Sequence, residues 1–224
     1  SEFLIGEVIR ERGGKDFYLA TKSINRTRDG CQHDVDRSLK YLGIAKIDLY
    51  QMDDVLPEDW EQVMTEGGSL EGLQIAKYRG LIDYIGISSH YPEVLEKAIT
   101  CGEFDTVMLE YSAFYQDAAH LIPLANEHDV AVIVMRPLGG SGRMSSLRGG
   151  PQALDRKVSL TPTMLLKYVL SNQGISVAIA GVRYPTRVKE NVELAGSYTP
   201  LDEAEKRECE EVATSLYDTD SRSG

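Results

Sequence analysis

The stretch Phe17-Tyr18-Leu19-Ala20-Thr21-Lys22 is the first of six short apolar runs that alternate with segments of helical periodicity. A parallel strand that is buried on both faces has such a near-continuous run of β-branched and aromatic residues. The alternation therefore predicts repeated βα units that share a parallel sheet. The six predicted strands are Phe17–Lys22, Ile47–Met52, Tyr84–Ser89, Thr106–Tyr111, Ala131–Leu138 and Val177–Val182.

The first run ends in Lys22, whose ammonium group needs a polar environment. Burying an unpaired charge is strongly unfavourable, so the side chain is expected to reach a pocket at the carboxyl end of its strand. The alternative is a lysine whose stem covers apolar surface while its head lies in water. Sites in folds built from βα units lie at the carboxyl ends of the strands, which favours the pocket.

Glycines in the positions expected of helix C-caps follow several of the helical segments. Residues 139–157 are rich in Gly and Ser, which predicts a lid or binding loop, or else a disordered segment. Residues 218–224 are predicted to be a polar tail. The predicted helices are Glu2–Arg12, Cys31–Leu42, Leu70–Arg79, Pro92–Thr100, Ala118–His128, Pro162–Ser171, Pro185–Leu194 and Leu201–Leu216.

Two folds are compatible with six βα units, a doubly wound open sheet and a (β/α)8 TIM barrel. No strand is followed by Gly-x-Gly-x-x-Gly, and Gly139-Gly140-Ser141-Gly142 lacks the required spacing. The chain starts with Ser and opens directly in a helical pattern. We therefore expect an α/β chain of one domain over residues 1–224, a (β/α)8 barrel without its first two strands. Exposed edges on the first and last strands would then allow self-association.

The composition excludes several classes of protein. The 224 residues carry a formal net charge of −11, which argues against a nucleic-acid or anionic-membrane partner. No apolar stretch approaches the ~20 residues that cross a bilayer, and no signal segment opens the chain. Cys31, Cys101 and Cys209 are isolated, which predicts reduced thiols in a cytoplasmic protein and no metal site or disulfide framework.

The chain resembles the aldo-keto reductases in the order of its motifs. A branch of bacterial and archaeal members is especially similar at Gly67-Gly68-Ser69-Leu70-Glu71-Gly72-Leu73. Members of that branch often carry a C-terminal iron–sulfur extension. No CxxC cluster is present in this sequence. The motifs are Ser1-Glu2, Ala20-Thr21-Lys22, Asp48-Leu49-Tyr50-Gln51, Gly86-Ile87-Ser88-Ser89-His90, Arg136-Pro137-Leu138 and Gly181…Arg187…Glu190-Asn191.

The resemblance implies reduction of a small carbonyl compound by NAD(P)H, with a tyrosine that protonates the alkoxide beside a lysine cation. Lys22 matches that lysine. The family's aspartate and tyrosine would precede Ser1, and its histidine is replaced by Asp53. An ionised aspartate cannot donate a hydrogen bond to the carbonyl. We expect Asp53 to pair with Lys22, the alternative being that Asp53 and Asp54 only solvate a loop.

The resemblance also implies an NADP site, with NADPH preferred over NADH. Ser88, Ser89 and Met108 stand where relatives hold the nicotinamide carboxamide. Arg136, with Leu138 in the same motif, would meet the pyrophosphate or else form an ion pair at the barrel rim. The last βα turn offers backbone N–H groups at a helix start. Its expected residues for the adenosine phosphate and adenine are Gly181, Arg183, Arg187, Glu190 and Asn191.

Two other functions stay open at this point. Asp53, Met108 and Ser89 depart together from the family's pattern, which favours a catalytically impaired barrel that binds a nucleotide or a protein partner. Lys22 and Asp53 could also form a different acid–base pair, suited to lyase or isomerase chemistry on a carbonyl compound.

Overall fold

The structure is a computed structural model, and it describes residues 1–139, 160–182 and 184–220. Its strands are β1 Ala20–Ser23, β2 Ile47–Met52, β3 Ile82–Ser88, β4 Thr106–Glu110, β5 Ala131–Met135 and β6 Val177–Ile179. They are hydrogen-bonded in sequence order, from β1 to β6. The registers of β1 with β2, β2 with β3, β3 with β4, and β5 with β6 are all parallel. The predicted parallel sheet with sequential strands is thereby confirmed.

The helices follow the predicted order, with small differences at their ends. A 3₁₀ turn over Pro57–Asp59 and the short helix after it are additions that the sequence did not predict. The last helix ends at Asp220, inside the predicted polar tail. Residues 221–224 and the predicted loop after Gly139 lie outside the described residues. The helices are α1 Glu2–Arg12, α2 Arg28–Leu42, α3 Trp60–Met64, α4 Ser69–Tyr78, α5 Pro92–Thr100, α6 Leu121–Glu127, α7 Pro162–Leu170, α8 Pro185–Ser197 and α9 Glu203–Asp220.

The start of α2 shows how a cap extends a helix beyond its apolar stripe. The predicted start at Cys31 is wrong by three residues, since α2 begins at Arg28. The side chain of Thr27 accepts a hydrogen bond from the N–H of Gly30 at 3.3 Å. Thr is a favoured N-cap residue because it satisfies a backbone donor that the first turn leaves open.

β1, β5 and β6 are shorter than predicted, and β5 ends at Met135, before the predicted end at Leu138. Tyr18 is 92% exposed and lies before β1, so Phe17 and Tyr18 do not belong to the strand. Val177 and Ile179 of β6 are exposed, and β6 ends at Ile179, before the predicted end at Val182. A strand at the end of a sheet has a neighbour on one side only, which limits its pairing. Self-association through these edges stays a prediction.

The described chain divides into two compact units, which are treated separately. The first unit contains residues 1–108 and 127–130, and the second contains residues 109–126 and 131–224. The single domain expected from the sequence stays a prediction. Among the described residues, none of the helices combines the length and hydrophobicity that a bilayer crossing requires.

In the first unit, helices pack closely over buried residues of the sheet. Tyr50 of β2 is fully buried, and its hydroxyl lies 3.1 Å from Oγ of Ser38 on α2. Helices α1 and α2 approach so closely that a Cβ on Gly6 would lie 2.2 Å from the carbonyl oxygen of Tyr41. A larger residue at position 6 would force the two helices apart.

In the second unit, a buried chain of hydroxyl groups connects the end of β4 with α7 and α9. Tyr111 donates to the hydroxyl of Tyr168 at 3.2 Å, and Tyr168 donates to Oε1 of Glu210 at 2.6 Å. The two rings are stacked with centroids 5.5 Å apart. Burial is the main cause that raises the pKa of Tyr168, and the hydrogen bond to Glu210 is the second. The hydroxyl therefore stays protonated and can donate.

Candidate active site

Lys22, Asp53 and Ser88 meet in the first unit at the carboxyl ends of β1, β2 and β3, and we call them the Lys22 cluster. Nζ of Lys22 lies 2.6 Å from Oδ1 of Asp53. Oγ of Ser88 donates to the same oxygen at 3.0 Å. The side chains of Lys22 and Asp53 are 34% and 31% exposed, so both can contact a ligand. The expected ion pair is present, while its catalytic role stays a prediction.

The backbone fixes this cluster, because the carboxyl ends of parallel strands lie along one edge of a sheet. The N–H of Asp53 donates to the carbonyl of Ser23 at 2.8 Å, which ties the end of β2 to the end of β1. The N–H of Asp54 donates to Oγ of Ser88 at 3.0 Å. Asp54 has a φ of 48°, in the left-handed region that few non-glycine residues adopt. Asp53 and Asp54 therefore form an ordered turn, not merely a solvated loop.

The two serines expected at the nicotinamide carboxamide already have protein partners. Oγ of Ser88 donates to Asp53 and accepts from Asp54, which leaves one lone pair for a further donor. Ser89 is fully buried, and its Oγ donates to the carbonyl of Val55 at 2.6 Å. Met108 is also buried, and its carbonyl accepts the N–H of Ser89 at 3.3 Å. Of these side chains, Ser88 has the clearest unused hydrogen-bonding capacity.

A buried carboxylate supports the end of β1 and was missed by the sequence analysis. Asp34 on α2 is 1% exposed and accepts hydrogen bonds from Oγ of Ser23 and Nδ2 of Asn25. Nη2 of Arg37 lies 2.8 Å from its other oxygen. Since Ser23 follows Lys22 directly, Asp34 orders the turn beside the Lys22 cluster.

A signal for Asp34 was available in the sequence. The buried residues of α2 are Cys31, Asp34, Val35, Ser38 and Leu42, which form a stripe at helical spacing. A carboxylate within an apolar stripe requires partners.

Burial, with a smaller contribution from Asp34, raises the pKa of the Cys31 thiol to about 12, so the thiol is protonated at neutral pH.

In the second unit, α8 begins with an N-terminus that no side chain caps. Tyr184 is the N-cap residue without a side-chain hydrogen bond, and Pro185 follows in the first turn. Nη1 of Arg187 lies 2.6 Å from Oε2 of Glu190, and both side chains are about half exposed. Asn191 is half-buried, whereas Gly181 is exposed, and a Cβ at position 181 would have no atom within 4 Å. Arg183, also expected at this site, lies outside the described residues.

The same helix borders an open apolar groove of about 790 Å³. None of the residues of α8 is buried. The groove contains no buried polar group among its described lining residues, so it offers apolar surface without evident chemistry. Its lining includes Val182, Tyr184, Val188, Lys189, Val192 and Glu193.

Arg136 follows β5 in the second unit and has an ion-pair partner there. Its Nη1 lies 3.3 Å from Oε2 of Glu110, whose side chain is only 8% exposed. Arg136 has a φ of 52°, and its own side chain is 53% exposed. The ion pair expected as one alternative is thus formed, and the exposed guanidinium keeps donors for another anion. Leu138, two residues later, is half-buried.

A comparison with protein families gives a match over residues 1–214 to the model described as the aldo/keto reductase family. Among curated proteins, the uncharacterized oxidoreductase YqkF of Bacillus subtilis (strain 168) is 24% identical over 233 aligned positions, gaps included; the alignment covers 88% of this chain and 74% of that protein. The aldo-keto reductase yakc [NADP(+)] of Schizosaccharomyces pombe is 29% identical over 157 residues, 62% of this chain and 44% of that protein.

Among solved structures, the holo form of aldo-keto reductase AKR11C1 from Bacillus halodurans is similar, with a TM-score of 0.76 and 26% identity. The match covers 94% of this chain and 76% of that chain. Neighbours of this kind are (β/α)8 barrels, which confirms the predicted fold class.

Proposed function

Because this chain belongs to the aldo/keto reductase family, we propose that it reduces a carbonyl group to an alcohol with NADPH. Membership supports NAD(P)H-dependent oxidoreduction in general, and the Lys22 cluster supports the more specific reaction. The observation that carries the proposal is the ion pair of 2.6 Å between Lys22 and Asp53, at the carboxyl ends of neighbouring strands. Sites in barrels of this class lie at that end of the strands.

Lys22 would stabilise the negative charge that develops on the carbonyl oxygen. A nicotinamide cofactor, when bound, supplies the hydride. The ammonium group of Lys22 has three N–H donors, and Asp53 accepts from it at one oxygen. A remaining donor can face the oxygen directly, or it can acidify a tyrosine that donates to the oxygen. A fixed cation at the site of developing charge lowers the barrier without reorganisation.

Asp53 would make this reaction slower than in relatives that have a histidine at the same position. An ionised carboxylate only accepts hydrogen bonds, so it cannot hold a carbonyl oxygen as an imidazole N–H does. Its negative charge also partly cancels the field of the ammonium group of Lys22. We therefore expect slow reduction of simple aldehydes.

The residues present fit an anionic dinucleotide in the second unit. The uncapped N-terminus of α8 and the exposed Arg187 in its first turn suit a phosphate group. Glu190, Asn191, Gly181 and Arg183 would complete the adenosine end, and Arg136 with Leu138 would meet the pyrophosphate. In the first unit, Ser88 would accept from the carboxamide beside Ser89 and Met108. The S. pombe relative carries NADP(+) in its name, which supports NADPH over NADH.

The test combines cofactor binding with one substitution. NADPH binding is measured by fluorescence, and kcat is measured for reduction of a simple aldehyde by wild type and Asp53→His. We expect NADPH to bind both proteins and kcat to rise severalfold in Asp53→His, because the imidazole restores a donor to the carbonyl. If NADPH binds but both proteins are equally inactive, the reductase assignment fails. A nucleotide-binding barrel or a lyase or isomerase would then take its place.

A further inference from the structure

We infer that the sheet of the first unit binds one buried water molecule between the side chains of Gln51 and Thr106, over the backbone of Gly86. The water accepts from the hydroxyl of Thr106 and donates to the carboxamide oxygen of Gln51. This inference does not depend on the proposed function, because none of the three residues belongs to the Lys22 cluster or to the proposed cofactor site.

Two buried oxygen atoms point to this site. Gln51 of β2 is 1% exposed, and its Oε1 has no hydrogen-bond partner among the described residues. The same is true of Oγ1 of Thr106, the first residue of β4. A buried polar atom without a partner is costly, so native folds supply one, either from the protein or from an ordered water.

The strand register places these two side chains on one row of the sheet. Gln51 is opposite Gly86 in the β2–β3 register, and Gly86 is opposite Thr106 in the β3–β4 register. Residues that are opposite each other on neighbouring strands face the same side of the sheet. Gly86 has no side chain, so the space above it lies between the side chains of Gln51 and Thr106.

The surroundings of Gly86 show how near the two oxygens are to each other. A Cβ at this position would lie 2.3 Å from Oγ1 of Thr106 and 3.1 Å from Oε1 of Gln51. Both oxygens are thus close to one point, yet they form no direct hydrogen bond. One bridging water connects two polar atoms that are near each other but too far apart for direct contact.

The two oxygens suit water better than an ion. The carboxamide oxygen of Gln51 only accepts hydrogen bonds, whereas the hydroxyl of Thr106 both donates and accepts, so a water satisfies both groups at once. A cation would have two neutral ligands here, and it would share the row with the positive charge of Lys22, which is opposite Gln51 in the β1–β2 register. An anion would meet the acceptor oxygen of Gln51.

Oxygen-17 magnetic relaxation dispersion of the full chain tests this inference, because it counts waters that stay bound for long and is not affected by exchange of hydroxyl protons. Wild type should contain about one more such water than Gly86→Ala, since the added Cβ competes for the same space. Thr106→Val should lose the same water, because it removes one of the two partners.

Thr21→Val is the matched control. It makes the same change on β1, where the hydroxyl of Thr21 already donates to Oε1 of Glu2 at 2.6 Å. The number of long-lived waters should therefore equal that of wild type. If Gly86→Ala does not fold, as judged by circular dichroism, the comparison of Thr106→Val with Thr21→Val decides the test.

Urea denaturation gives a second measurement, whose sign depends on the presence of the water. If the hydroxyl of Thr106 binds a water, Thr106→Val should raise the unfolding equilibrium constant about fivefold, as for the loss of one hydrogen bond. If the hydroxyl has no partner at all, the same substitution removes a buried unsatisfied group and should lower that constant.

Equal numbers of long-lived waters in wild type and Thr106→Val overturn the inference, whatever the effect on stability. A direct hydrogen bond between Thr106 and Gln51 would give that result together with the fivefold loss. A Thr106→Val protein that is more stable than wild type also overturns it. So does a Thr21→Val protein that loses the water as well, because the water would then lie elsewhere.

Discussion

The Lys22 cluster and the start of α8 are both candidate binding regions, but their charged groups are held in different ways. In the Lys22 cluster the three partners lie at the carboxyl ends of three strands, and Asp34 of α2 supports the adjoining turn. At the start of α8, Arg187 is paired with Glu190 of its own helix, and no residue of that helix is buried. The first region is therefore held by contacts between different elements, whereas the ion pair of the second lies within a single helix.

The largest effect is expected for Lys22→Met, which should lower kcat for carbonyl reduction by about 100-fold or more. Loss of a fixed donor at developing negative charge has a cost of this size. NADPH binding, measured by fluorescence, should change little. Lys15→Met is the matched control, because Lys15 is also a lysine in an ion pair, with Asp48 of β2. Equal losses of kcat in both variants would show that the Lys22 cluster has no special role.

Asp34→Ala should lower the free energy of unfolding by about 3 kcal/mol, because the hydroxyl of Ser23 and the side-chain amide of Asn25 lose their buried acceptor. Urea denaturation followed by circular dichroism measures this change. Arg187→Ala removes the exposed pair of α8 and should cost less than about 0.5 kcal/mol. Similar losses in the two variants would contradict the difference drawn between the two regions.

Arg187→Ala should weaken NADPH binding about tenfold and leave NADH binding nearly unchanged. The reason is the proposed contact of its guanidinium with the adenosine phosphate that NADH lacks. Fluorescence titration of both cofactors gives the two ratios. Lys189→Ala, which changes another exposed cation of α8, serves as the control. An equal loss for both cofactors, or none, excludes this role for Arg187.

The smallest effect concerns Cys31, whose folded pKa of about 12 lies above its ordinary value of 9.0. The stability linked to this raised pKa is fully present below pH 9 and is lost as the pH rises toward 12. Between pH 8 and pH 10 we expect wild type to lose about 1 kcal/mol more than Cys31→Ala. Val35→Ala, a neighbouring cavity variant, should keep the wild-type slope. Parallel curves for wild type and Cys31→Ala would contradict this origin of the pH dependence.

Local patterns predicted the existence and order of the elements well and their ends less well. The bounds of β2 agree at both ends, where Lys46 precedes Ile47 and Asp53 follows Met52. β1, β5 and β6 were predicted too long, because apolar residues precede β1 and follow β5 and β6 outside the strands themselves. The start of α2 was missed because a single cap, Thr27, set it.

The candidate site could be predicted only in part. The pairing of Lys22 with Asp53 followed from their positions at the ends of neighbouring strands. The hydrogen bond from the Ser89 hydroxyl to the carbonyl of Val55 depends on how the segment after β2 lies against the segment after β3. Sequence periodicity does not encode this arrangement. Asp34 stood in a visible stripe, but its partners in the turn after β1 are known only once the helix is placed on the sheet.

The contact of 2.6 Å between Arg187 and Glu190 has a consequence for any anion that approaches α8. The carboxylate of Glu190 and an incoming anion would compete for the same guanidinium group of Arg187. An exposed pair of this kind is worth about 0.5 kcal/mol, so displacement reduces the affinity of every incoming anion by about twofold. A dianionic phosphate overcomes this barrier more readily than a single carboxylate does. Because the same factor applies to every anion, Glu190 lowers anion affinity at the start of α8 without itself selecting among anions.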